Sequence, residues 1–92
     1  MKFIKLHEVK LNISHRVSGV LESNLIWINP DYILKFWEFN QAFSDDNETQ
    51  ELLENIKPPK VGSFPTKIML ANGNILTVAE CTDYIFSCCM GD

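Results

Sequence analysis

The chain has 92 residues, 46% of them hydrophobic and 22% charged, with a formal net charge of −4 at neutral pH. Such a length fits one small domain that buries roughly 60–65% of its unfolded surface, so marginal stability or self-association is expected. The acidic balance speaks against nucleic-acid binding, which rests on neutralising phosphates, and the densest basic cluster lies only at residues 57–60.

Residues 2–9 alternate Phe3, Lys5 and His7 with Ile4 and Leu6, the period-2 pattern of a half-buried strand. Charges at Lys5 and Glu8 interrupt any signal-peptide core, so none is expected, and no run nears the ~20 apolar residues that span a bilayer. Val17-Ser18-Gly19-Val20 reads as a turn between short strands. Residues 25–28 (Leu-Ile-Trp-Ile) are apolar on both faces, as in a strand that is fully buried or covered by a partner.

Asn29-Pro30-Asp31 ends that strand, because proline removes a backbone donor and restrains the residue before it. A second aromatic strand follows over residues 32–39. Strict alternation there puts Leu34, Phe36 and Glu38 on one face, and Ile33, Lys35, Trp37 and Phe39 on the other.

Residues 40–65 are acidic through Glu54 and then punctuated by Pro58, Pro59, Gly62 and Pro65, which reads as an insertion with the greatest mobility in the chain. Within it Asn47 could cap a short helix reaching Ile56.

Residues 66–80 hold the strongest local signal. Two β-rich runs flank Asn72-Gly73. A two-residue turn would set Leu70 opposite Ile75 and split the apolar residues between faces. A three-residue loop, Ala71-Asn72-Gly73, instead pairs Ile68 with Leu76 and Thr66 with Val78, with Gly73 at positive φ. Ile68, Leu70, Leu76 and Val78 then share the core face, and Met69 and Ile75 meet on the other. Beyond it, Thr82 caps a terminal helix carrying Tyr84, Ile85, Cys88 and Cys89, or residues 84–89 form a last strand.

The whole reads as mostly β: a small antiparallel sheet or partly open barrel of about five to six strands, with α+β left open by the two short helices. Residues 1–92 form a single domain with the insertion at 40–65.

Chemistry finds little purchase. His7, His15, Cys81, Cys88 and Cys89 stand at no zinc-binding spacing, and Asp45-Asp46-Asn47-Glu48 lacks the ligand spacing and glycine of a calcium loop. No nucleophile motif or phosphate-cradling loop is present, so the reading is of a chain that is no enzyme and takes no metal or cofactor. An odd set of cysteines, two of them adjacent, suits a reducing cytoplasm.

Thr66-Lys-Ile-Met-Leu-Ala-Asn-Gly, followed by Val78-Ala-Glu80 and Ile85, resembles the end of the small flagellar and swarming-motility proteins of the FlbD type. Ile4-Lys5-Leu6 is similar to their opening strand and Asn29-Pro30-Asp31-Tyr32-Ile33 to their central segment, whereas residues 8–24 and 40–65 exceed the family's length. The resemblance implies a β-rich accessory protein without catalytic residues. The same strand, Asn-Gly, strand pattern also looks like LytTR-class domains, which leaves a nucleic-acid-binding regulatory domain as the alternative function.

Supply and demand for burial point to a protein-interaction module. Trp27, Trp37, Phe39, Met69 and Ile75 exceed what a small monomer hides, and they are the candidate partner-binding residues, for a homodimer or another protein. A rival reading folds Leu52, Leu53, Ile56 and Phe64 back over that surface as a lid.

Overall fold

A computed structural model describes residues 3–14, 17–54, 56 and 64–90. The order is β1 (Ile4–Ser14), β2 (Val17–Ile28), a 3-10 turn (Pro30–Tyr32), β3 (Ile33–Glu38), β4 (Ala42–Phe43), α1 (Asn47–Leu53), β5 (Thr66–Leu70), β6 (Ile75–Val78) and α2 (Thr82–Met90). One six-stranded sheet in the order β3-β5-β6-β1-β2-β4 holds all the described strands. Neighbours are antiparallel except β2 and β4, whose parallel pairing makes the sheet mixed. The mostly β architecture expected from sequence is therefore observed.

The short link between β2 and β3 shapes the sheet. Four strand spacings separate these two strands in the order, roughly 19 Å in a flat sheet. Five Cα steps from Ile28 to Ile33 reach at most about 18 Å when fully extended, and Pro30–Tyr32 is wound into a 3-10 turn capped by Asn29, whose Oδ1 accepts the Asp31 N–H at 3.0 Å. The sheet must curl. Its inner surface holds Ile4, Leu6, Ile28, Ile68 and Val78, and α2 closes over them with Ile85. Thr82 is the first residue of α2.

The β5–β6 hairpin has the expected register: Ile68 faces Leu76, Thr66 faces Val78 and Met69 faces Ile75. Gly73 has φ +92°, and Leu70 N–H donates to the Asn74 carbonyl at 2.8 Å across the three-residue loop. Ile68 and Val78 are fully buried, and Leu70 and Leu76 pack half-buried against the same core.

Two bulges correct the sequence reading of the other strands. Val17-Ser18-Gly19-Val20 is no turn; it lies in β2, paired with residues 11–14. The register then shifts between Lys10 and Leu11, leaving Leu21 as the extra residue and 64% exposed. An extra residue breaks alternation, so the two halves of β2 look discordant in sequence. In β3 the shift falls at Leu34, also 64% exposed. Ile33 and Phe36 consequently share the core side, whereas strict alternation had separated them.

Residues 40–65 require the largest correction. The helix there runs Asn47–Leu53, and its N-cap is Asp46, not Asn47, with Oδ1 accepting the Thr49 N–H at 2.8 Å. Phe43, Leu53 and Ile56 form a second core with Val9, Val20 and Ala79. Thr49 is buried, and its hydroxyl accepts the Val20 N–H at 3.0 Å. The described part of the segment is thus packed into the fold and not a loop that stands off it; residues 55 and 57–63 lie outside the described residues. Val9 and Leu11 have the opposite parity to Ile4 and Leu6, so α1 covers the outer surface of the β1–β2 hairpin while α2 covers the inner one.

Candidate interaction surface

Register determines what the outer surface carries. Ile4 and Leu6 point inward on β1, so Lys5 and His7 point outward; their partners Trp27 and Leu25 do the same on β2. Lys35 and Trp37 on β3, Lys67 and Met69 on β5, and Ile75 and Thr77 on β6 complete the set. Every carboxylate on a described strand, Glu8, Glu22 and Glu38, has the inward parity. The outward strand positions therefore carry lysine and no acid, although the chain as a whole is acidic.

Four of the five candidate partner-binding residues come together there. Met69 faces Ile75 directly, Trp37 is diagonal to Met69 one strand over, and Phe39 follows Trp37 on the same side. Ile75 is 50% exposed and Trp37 36%. Trp27 stands apart, with β1 between its strand and β6. It lines a pocket of about 370 Å³ with Phe3, Tyr32, Leu70 and Asn72. Of the described residues expected in the lid, Leu52, Leu53 and Ile56 pack into the second core with Val9, Val20 and Ala79, and Phe64 is itself exposed.

The lysines escaped the sequence reading. Lys35 lies 5.4 Å from the Trp37 ring centre, Lys67 4.7 Å from that of Phe39 and Lys5 5.9 Å from that of Trp27. Each ammonium thus sits in cation–π range of an outward aromatic. Lys35-x-Trp37 was legible as a same-face pair; the other two are cross-strand or at a strand end and needed the register.

One ionisable pair, with Glu80 buried and His7 half-buried, lies nearby. Glu80 is fully buried, its carboxylate accepts the His7 backbone N–H at 2.9 Å, and its other oxygen is 2.8 Å from His7 Nδ1. The Ala79 N–H donates to the His7 carbonyl, and the Thr66 hydroxyl donates to the Glu80 carbonyl. Glu80 therefore takes over from the backbone ladder where β6 stops, between β1 and β5. Among the described residues no hydroxyl or thiol is hydrogen-bonded to the imidazole.

The thiols are equally unassembled. Cys81, Cys88 and Cys89 are free. Desolvation and the neighbouring Cys88 push the Cys89 thiol up, away from the reactive thiolate. Burial, with Cys88 as its hydrogen-bond partner, likewise pushes the Tyr84 phenol up. Among the described residues no group of three or more His, Cys, Asp or Glu converges as metal ligands, and no described helix is long and apolar enough to cross a membrane.

Comparison with protein-family models, with curated proteins and with solved structures finds no match to this chain.

Proposed function

We propose that the chain is a non-enzymatic protein-interaction module of the cytoplasm that associates with itself through the outward surface of β3, β5 and β6. One observation carries this reading: Trp37, Met69 and Ile75 form an apolar group that neither helix covers, since α1 and α2 are each committed to a core elsewhere. An uncovered apolar group on a small domain is the usual mark of a contact surface. The FlbD-type resemblance supports an accessory role, and three free cysteines suit a reducing compartment.

Sedimentation equilibrium at micromolar concentration tests it. A monomer–dimer equilibrium that Ile75→Glu shifts to monomer is expected; a monomer at every concentration overturns the reading. The interface would bury about 800 Å² per partner if it is of standard size.

The outward lysines favour a second reading, nucleic-acid binding. Three cations would give a salt slope of only about −2.7, at about 0.9 per phosphate, so such binding would be weak. A salt-dependent mobility shift of DNA would support it.

A further inference from the structure

We propose that the outward surface receives the acidic helix α1 of a second copy, and that the exchange is reciprocal about a two-fold axis. The inference rests on the self-association reading and specifies its geometry.

Charge is the first argument. Asp45, Asp46, Glu48, Glu51 and Glu54 are all exposed on α1 and the turn before it, and no lysine or arginine occurs from residue 36 to residue 56. Opposite in sign, Lys35 and Lys67 flank Met69 on strands whose outward positions carry no acid. Among the described residues the ion pairs are His7–Glu80 and Lys10–Glu22, so within that set neither the α1 carboxylates nor Lys35 and Lys67 stand in an ion pair.

Placement is the second argument. α1 rests on the outer surface through Leu53, against Val9 and Val20, and Val9 and Leu11 share their parity with Lys5 and His7. The acidic and basic areas thus belong to one side of the same curled sheet. A two-fold interface needs one surface that is complementary to itself. A surface that carries both acid and base meets that condition when a half-turn lays each area over its opposite. Met69, Ile75 and the half-buried Leu52 supply apolar contact between the charges.

Two charge-reversal variants test the exchange. Lys35→Glu with Lys67→Glu reverses the basic area. Glu51→Lys with Glu54→Lys reverses the acidic one, leaves the Asp46 cap and buried Thr49 and Leu53 in place, and puts cations at the end of the helix that favours them. Sedimentation equilibrium of wild type in 50 and 500 mM NaCl, of each variant and of their equimolar mixture should show a dimer that salt weakens. Each variant alone should dimerise roughly tenfold or more weakly, and the mixture should recover the wild-type affinity. Circular dichroism melts of each variant confirm that it is folded. A dimer that both variants and salt leave unchanged overturns the exchange and leaves self-association standing. A monomeric wild type at every concentration overturns both. A fluorescent single-stranded 12-mer whose anisotropy rises with wild type, and not with Lys35→Glu/Lys67→Glu, while the protein stays monomeric, assigns the surface to nucleic acid and overturns the exchange.

Discussion

The β5–β6 hairpin and residues 41–56 carry comparable shares of buried apolar side chain, yet they announce it in opposite ways. In the hairpin the partners are close in sequence: Ile68 meets Leu76 and Thr66 meets Val78 across a loop whose glycine is next to an asparagine. In the other segment the partners are far away. Phe43, Leu53 and Ile56 find Val9, Val20 and Ala79, and the connecting hydrogen bond runs from Val20 to Thr49. Local composition measures solvation of the exposed side chains and misses a few apolar anchors whose holes are built by other strands.

The sharpest way to break this comparison is to remove the second region. Deleting residues 45–55 and rejoining with a short Gly/Ser link would be nearly harmless for a true loop, since closure entropy changes slowly with length. Here it exposes Val9, Val20 and Phe43, so loss of the cooperative urea transition is expected; a variant with the wild-type midpoint would restore the loop reading. Phe43→Ala asks the same question with less disruption, at an expected cost of about 3–5 kcal/mol for a buried phenylalanine. Val9 of the second core and Leu6 of the first share β1, so the two cores should unfold in one transition.

Next in size is the joint between α1 and β2. Thr49→Val keeps the volume and removes the acceptor of the buried Val20 N–H, which should cost about 1–3 kcal/mol by urea unfolding. The same joint explains Gly19. A Cβ there would approach Thr49 Oγ1 to 3.3 Å, and the hydroxyl is held by its bond to Val20. A Thr49→Val cost near zero would mean that the helix docks by apolar contact alone.

What was legible follows the same division. Strand β1, the turn at Asn29 and the whole β5–β6 register were readable because each depends on alternation or turn chemistry within a few residues. The β3 faces were misread because Leu34 is the extra residue of a bulge, and nothing local distinguishes a bulged leucine from a paired one. Val17–Val20 looked like a turn because it carries Ser18-Gly19, whereas these residues pair within β2. At the candidate surface, Trp27, Trp37, Phe39, Met69 and Ile75 were named by elimination from the core. Lys5 and Lys67 were not, because their proximity to Trp27 and Phe39 depends on pairing or curvature that the sequence does not print.

The loop of the hairpin offers a finer test on the legible side. At φ +92° Gly73 lies where an L side chain is strained, and an added Cβ would meet nothing within 4 Å. The cost of Gly73→Ala is therefore backbone strain alone, about 1 kcal/mol or more. Gly73→Asn should cost less, since asparagine tolerates positive φ better than alanine. Equal costs would point to a relaxed loop of another type.

The smallest expected effect returns to the second region, at the start of α1. The backbone N–H of Thr49, then the Ser44 hydroxyl, hold the Asp46 carboxyl below the ordinary aspartate range. A carboxyl depressed in the folded state stabilises above its unfolded pKa, about 3.9, and that contribution fades as pH falls through the folded value. Asp46→Asn keeps an oxygen to accept the Thr49 N–H and abolishes the titration. The variant should be slightly less stable than wild type at pH 6, and the two midpoints should converge as the pH is lowered below about 4. Because Asp46 is wholly exposed the difference is small, and urea midpoints at pH 3, 4 and 6 would read it. Convergence would tie α1 to its cap by charge, whereas a constant gap would assign the loss to the geometry of the amide in the cap.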